Sequence, residues 1–179
     1  MKYLGIDTSV NSMPYAVFED KDLVDFGLIK IKGKYLEDKL MMGYTEIQNK
    51  IDEYGIDVVI LEDVYHGVNF TSTKSTLQML GALRMGAYEK NAVSFLVPAT
   101  KWRKGVIKQT RRATMKQQAV DYVNEMYDLD LMYDKKRTRT QDDMAEAIIM
   151  TEGLVWQRYT LEKVRMFTDK VQELHGEEK

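Results

Sequence analysis

The sequence predicts an α/β fold: a mixed five-stranded sheet in which three antiparallel strands are followed by parallel β-α-β units, flanked by helices. Three observations predict it. Three short apolar runs follow one another at the N-terminus with only turn-like polar residues between them, as in an antiparallel meander. Two later runs are apolar throughout and separated by helical spacing, as expected of buried parallel strands joined by crossovers. The chain has 179 residues, the size of one domain with a substantial core.

The elements follow in order. Tyr3–Asp7 is an apolar run that ends in a carboxylate. Tyr15–Glu19 and Leu23–Ile31 complete the meander. From Tyr35 to Tyr54, Leu36, Leu40, Tyr44, Ile47 and Ile51 recur every three or four residues, one apolar helix stripe, and Gly55 is a stop signal. Asp57-Val-Val-Ile-Leu-Glu62 is a buried strand flanked by acids. Residues 73–90 predict a helix in which Gly81, Ala82, Gly86 and Ala87 permit close packing. Ala92–Val97 is another buried strand, ended by Pro98. Helices near 113–127 and 140–156 follow, then a polar helical tail. The methionines fall mostly at helix positions, among them Met41, Met79, Met126 and Met150, where they suit adaptable core packing.

Composition excludes several classes. There is no cysteine, hence no disulfide framework, thiolate nucleophile or Cys-based zinc site. The longest stretch without a charged side chain, Thr8 to Phe18, has eleven residues, too few for a membrane span of about 20. The N-terminus enters a strand at once, which leaves no room for a signal peptide. The expectation is a soluble protein of the cytoplasm. Lys plus Arg number 26 and Asp plus Glu 28, a net charge of −2. That average conceals a division. Residues 90–120 contain Lys90, Lys101, Arg103, Lys104, Lys108, Arg111, Arg112 and Lys116 and no acid. Taking this +8 from the total of −2 leaves −10 for the remainder.

The acids at the ends of two strands carry the chemistry. If the strands ending in Asp7 and Glu62 lie parallel and adjacent, both carboxylates emerge at the sheet end where open α/β sheets place their sites. Acids also cap strand ends for ordinary reasons, but here two runs of matching form do so. A third cluster is Gln141-Asp142-Asp143-Met144-Ala145-Glu146. Asp143 and Glu146 share a helix face, and so do Asp142 and Glu146. An Asp at a helix start also complements the helix dipole, an ordinary reading of Asp142. Glu146 lies among packing residues and needs a partner, for which a cation is the natural choice. Oxygen ligands without His or Cys favour Mg²⁺ or Mn²⁺. Several carboxylates around two such ions make a site for phosphodiester hydrolysis, and the basic window would hold the phosphate backbone.

The ordered series of motifs resembles a known family. It runs Gly5-Ile6-Asp7; Leu61-Glu62 with Tyr65 three residues on; Leu80-Gly81-Ala82-Leu83-Arg84 with Gly86; Pro98 with Trp102-Arg103; Lys116-Gln117-Gln118-Ala119-Val120; and Asp143 with Glu146-Ala147. This order, from residue 3 to about 153, resembles the RuvC family of Holliday junction resolvases, in particular its divergent phage-encoded members. The resemblance implies an RNase H-like nuclease domain over residues 1–155 with a C-terminal helical tail over 156–179. It implies a homodimer, without indicating a helicase partner, that nicks opposite strands of a four-way DNA junction in pairs, leaves 5′ phosphates and depends on Mg²⁺. By this resemblance the metal-binding acids would fall on Asp7, Glu62, Asp143 and Glu146. The basic active-site residue would be Lys116, with Arg103 or Lys104 as a second. Tyr65 would probe the junction centre. Lys101, Arg103, Lys104, Lys108, Arg111 and Arg112 would hold DNA phosphates in a bacterial or phage-infected cell.

The chain departs from the family pattern in four places, one of them a stretch between Arg103 and Lys116 that is slightly longer than usual. Thr8-Ser9 stands where the family usually has Pro-Gly, Glu146 replaces the commoner Asp, and Asp142 directly precedes Asp143, which leaves open which of the two binds metal. Two alternatives keep the fold or its first strand. One is another RNase H-like nuclease acting on forks, flaps or hybrids. The other is an actin- or Hsp70-like ATPase relative, which would need a second Gly-rich half that a chain with 11 glycines lacks. A non-catalytic junction-binding protein is a third, against which four retained acids argue.

Overall fold

The computed structural model describes residues 1–64, 70–108, 112–133 and 141–156. Strands β1 (Lys2–Ile6), β2 (Ser12–Glu19) and β3 (Asp22–Lys30) form the meander. Helix α1 (Leu36–Tyr54), strand β4 (Val58–Glu62), helix α2 (Phe70–Glu89) and strand β5 (Val93–Val97) follow. A single turn α3 (Ala99–Trp102) and helices α4 (Arg112–Tyr127) and α5 (Asp142–Val155) complete the described chain. The sheet order is β3-β2-β1-β4-β5. β2 runs antiparallel to both neighbours, and β1, β4 and β5 are mutually parallel. The mixed five-stranded sheet flanked by helices is the fold the sequence predicts.

Strand alternation divides the core between two faces. Leu4 and Ile6 of β1 and Val59 and Leu61 of β4 pack with Ile47 and Ile51 of α1 and Leu80 and Leu83 of α2. Tyr3, Val58 and Ile60 face the other way, toward Ala119 and Val123 of α4 and Ala145, Ile148 and Ile149 of α5. Ile6 pairs with Leu61, so the next residues, Asp7 and Glu62, sit side by side at the sheet end. Both fall on the α4–α5 face by the same alternation.

Most expected elements form within a few residues. Gly55 stops α1 in the left-handed region at φ 65° and donates its N–H to Ile51 O at 2.8 Å. Some expectations fail. α2 begins at Phe70, and Gly81 packs against nothing, since a Cβ there would meet open space. The close approach of α1 and α2 uses Gly86 as expected, whose Cβ would come within 2.7 Å of Ile47, and also Gly43, whose Cβ would come within 2.4 Å of the Met79 sulfur. Met79 and Met150 are buried, but Met41 and Met126 are 61% and 46% exposed and pack no core. The tail beyond Trp156 lies outside the described residues. Among those described, no helix is long and apolar enough to cross a membrane.

The position of α5 depends on Gly5. A Cβ on this β1 residue would lie 1.7 Å from Thr151 Oγ1 and 2.9 Å from Thr151 Cβ. Glycine in a strand interior often marks such an approach. Thr151 turns its hydroxyl back onto its own helix, donating to Ala147 O at 2.7 Å. Gly5→Ala should therefore destabilise the protein by about 1–3 kcal/mol through overpacking in denaturant unfolding. Adding Thr151→Ala should recover part of the loss by removing the nearest atom.

Candidate active site

The sheet end and α5 supply the acids. Oxygens of Asp7, Asp143 and Glu146 lie within 4.8 Å of one another. Glu62 joins them in lining one open cavity of about 400 Å³, together with Met115, Lys116 and Arg103. Asp143 sits in the first turn of α5 and Glu146 one turn on, so both reach Asp7 across the α5–β1 contact. The start of α5 is pinned by two hydrogen bonds, one backbone–backbone and one to a side chain: Gln141 N–H donates to Met132 O, and Met132 N–H donates to Gln141 Oε1, both at 2.9 Å.

Two cations stand against these acids. Arg103 follows α3 and reaches Glu146 Oε1 at 3.4 Å and Glu62 Oε1 at 4.0 Å. Lys116 of α4 donates to Asp142 Oδ2 and, at 2.9 Å, to Asp143 Oδ1. The two neighbouring aspartates thus differ. Asp142 is 2% exposed and holds Lys116, whereas Asp143 turns into the acidic cluster. Trp102, 2% exposed, donates its indole N–H to Glu62 Oε1 at 3.2 Å.

The cations do not balance the acids. Burial pushes the Asp7 carboxyl well above the usual range, and the Glu62 and Asp143 charges push it further while Lys116 opposes them. Burial likewise raises Glu62 and Glu146, against the pull of Arg103 on both. The hydrogen bond between Asp7 and Glu62 raises the first and lowers the second. A group of partly buried carboxylates that resists full ionisation suits a divalent cation, whose charge would relieve it. The donor set, oxygen throughout, fits Mg²⁺ or Mn²⁺.

Other expected residues are distributed unevenly. Lys101, Lys104 and Lys108 are exposed on the segment after β5, at the same sheet end as the acids. Lys90 is at the opposite end, before β5, in an ion pair with Asp52. Tyr65 and Arg111 lie outside the described residues, as does the side chain of Arg112. Sequence reasoning missed the Trp102 contact with Glu62 and the role of Gly5. A glycine inside a buried strand was a readable signal for the second, whereas an indole N–H has no spacing pattern. It also missed Glu152 of α5, fully buried, whose carboxylate accepts the Tyr122 hydroxyl of α4 at 2.9 and 3.1 Å.

A parallel–antiparallel sheet with clustered carboxylates at the end of its central strands defines an RNase H-like fold carrying an acidic site. A family model described as crossover junction endodeoxyribonuclease RuvC matches residues 3–151, and the chain belongs to the RuvC family. The RuvC of Aliarcobacter butzleri is 32% identical over 89 residues, 48% of this chain and 58% of that relative. The RuvC of Campylobacter hominis is 33% identical over 89 residues, 48% of this chain and 56% of that relative. The chain thus spans a little over half the length of these curated relatives. Among solved structures, T. thermophilus RuvC in complex with Holliday junction substrate superposes with a TM-score of 0.69 at 15% identity, covering 94% of this chain and 97% of that one. The yeast mitochondrial Holliday junction resolvase Ydc2 gives 0.56 at 13% identity, covering 96% and 83%. These likenesses are of fold.

The raised carboxyls make a pH prediction. A group whose pKa is higher folded than unfolded takes up protons on folding, so it stabilises at low pH and loses that contribution as pH rises through the folded value. In chelator near neutral pH, Asp7→Asn should therefore melt at a higher temperature than the parent chain. The gap should narrow as pH falls through the folded value and close only below the ordinary aspartate value of about 4, and thermal unfolding across that range checks it.

Proposed function

We propose that this chain is a structure-selective endodeoxyribonuclease that cleaves four-way DNA junctions by metal-dependent phosphodiester hydrolysis, leaving 5′ phosphates. The observation that carries the reading is the convergence of Asp7, Asp143 and Glu146 within 4.8 Å, beside Glu62 and two cations, in a member of the RuvC family. Asp7, Glu62, Asp143 and Glu146 would hold the metal, with Mg²⁺ in two positions and Mn²⁺ able to replace it. Bound there, such ions supply an activated water and stabilise the leaving 3′ oxygen.

The chain's own residues do the rest. Arg103 and Lys116, now engaged by the acids, are placed to hold the scissile phosphate's oxygens once those acids are neutralised. Buried Asp142 keeps Lys116 at the mouth of the cavity. Lys101, Lys104 and Lys108 extend the positive surface along the DNA backbone, with Arg111 and Arg112 continuing the same basic run in sequence. Tyr65, next after the segment that follows Glu62, is proposed to stack on an exposed base at the junction centre. Paired nicks in opposite strands require two sites, for which a homodimer is the simplest source. A DNA substrate is consistent with the cytoplasm of a bacterial or phage-infected cell as the place where the protein acts.

A labelled synthetic junction incubated with the protein and Mg²⁺ or Mn²⁺ should yield symmetric nicks, faster than a fork, a flap or an RNA–DNA hybrid. Equal or greater cleavage of those other substrates would reassign the enzyme within the fold. Asp7→Asn should abolish cleavage while leaving junction binding, since it removes a metal ligand and no backbone contact. Lys101→Gln and Lys104→Gln should each flatten the salt dependence of junction binding by about one unit of log–log slope, as measured by titration at several salt concentrations.

A further inference from the structure

Trp102 is one of two tryptophans in the chain and touches both halves of the site. It ends the single turn α3, which follows β5 after Pro98. This turn directs the ring inward among Ala119, Val120 and Ile148. The edge of the ring donates Nε1–H to Glu62 Oε1 at 3.2 Å. Its face carries the Arg103 guanidinium, 4.6 Å from the ring centroid, and that guanidinium reaches Glu146 Oε1 at 3.4 Å. Glu62 Oε2 takes part in neither the indole contact nor the Arg103 contact.

We infer that Trp102 is a positioning residue for the metal site: its indole N–H fixes one oxygen of Glu62, leaving the other for the ion, and its ring face holds Arg103 within reach of Glu146. This rests on the metal-dependent reading above. No other side chain joins an apolar face that stacks on a guanidinium to an in-plane N–H donor of the same reach. An outer hydrogen bond of this kind sets which lone pairs a carboxylate offers, and its removal typically weakens metal binding 10–100-fold. Phenylalanine at this position would keep the stack and lose the donor.

The test measures Mn²⁺ binding alone, without DNA, on the full chain. Electron paramagnetic resonance of free Mn²⁺ gives the dissociation constant, and thermal unfolding in chelator reports stability separately. Trp102→Phe should raise the dissociation constant about tenfold or more. Benzothienylalanine at position 102 replaces the N–H by sulfur at nearly the same shape. It should raise the constant similarly with the metal-free melting temperature unchanged, and it decides the matter if Trp102→Phe does not fold. In a Trp156→Phe background, the emission of Trp102 should change saturably with Mg²⁺ and should not change when Asp7→Asn is added. A benzothienylalanine variant that binds Mn²⁺ within about twofold of the parent chain, or a Trp102 emission indifferent to Mg²⁺, would show that the residue only packs. The nuclease reading would then stand. A parent chain that binds no Mn²⁺ would overturn both.

Discussion

The absence of one methyl group at Gly5 governs the geometry of the whole site. Asp7 and Glu62 are delivered by the parallel pairing of β1 and β4, but two carboxylates at a sheet end are not enough. The remaining acids ride on α5, and α5 reaches them only because Thr151 fits into the space where Gly5 would carry a side chain. Asp143 and Glu146 lie one to two turns N-terminal to that contact. A small outward displacement at Thr151 would therefore carry them away from Asp7. Oxygen–oxygen separations within 4.8 Å leave little room for such a shift, because carboxylates must lie within about 2.0–2.6 Å of a shared Mg²⁺ or Ca²⁺-sized ion.

Bringing these acids together is costly without a cation. Two unit charges near 5 Å repel by roughly 3–4 kcal/mol at an effective dielectric constant of about 20, and burial adds to it. The fold answers with Arg103 and Lys116, one from each side of the cavity. Each cation is itself anchored, Arg103 by the Trp102 ring and Lys116 by buried Asp142. The upward shift of Asp7, Glu62 and Glu146 shows that this answer is incomplete. The same two cations therefore have two uses. They limit the repulsion in the protein alone, and they are the nearest positive groups to any phosphate that approaches the acids.

The features legible in the sequence were those with a period or an end. Alternation and full apolarity identified the strands, and their terminal acids placed Asp7 and Glu62 at one sheet edge. The three-residue spacing of Asp143 and Glu146 predicted a shared face. Register within the first turn of α5 was not legible, so Asp142 and Asp143 could not be separated. That choice depends on where the helix begins, which Gln141 and Met132 fix through contacts nine residues apart in the chain. The small residues of α2 were read as one packing stripe, yet only Gly86 and Ala87 face the core while Gly81 faces open space. Glycine spacing alone cannot tell the buried face from the open one when both carry small residues.

The charge pattern shows how topology sorts a sequence run into separate surfaces. In parallel strands, residues that follow a strand gather at one sheet edge and residues that precede a strand gather at the other. Asp7, Glu62 and the segment from Lys101 to Lys108 follow β1, β4 and β5 and so meet at the site. Lys90 precedes β5, and its charge is met at the far edge by Asp52, so the basic window is not one patch. Of the cations that do reach the site edge, Arg103 and Lys116 are turned inward to the acids, leaving Lys101, Lys104 and Lys108 exposed. The positive charge available to a nucleic acid is thus set by how the acids are neutralised. Under the proposed function, each carboxylate charge taken up by a metal ion would free part of Arg103 or Lys116 for phosphate, and the electrostatics of DNA binding would then be tied to those of the metal site.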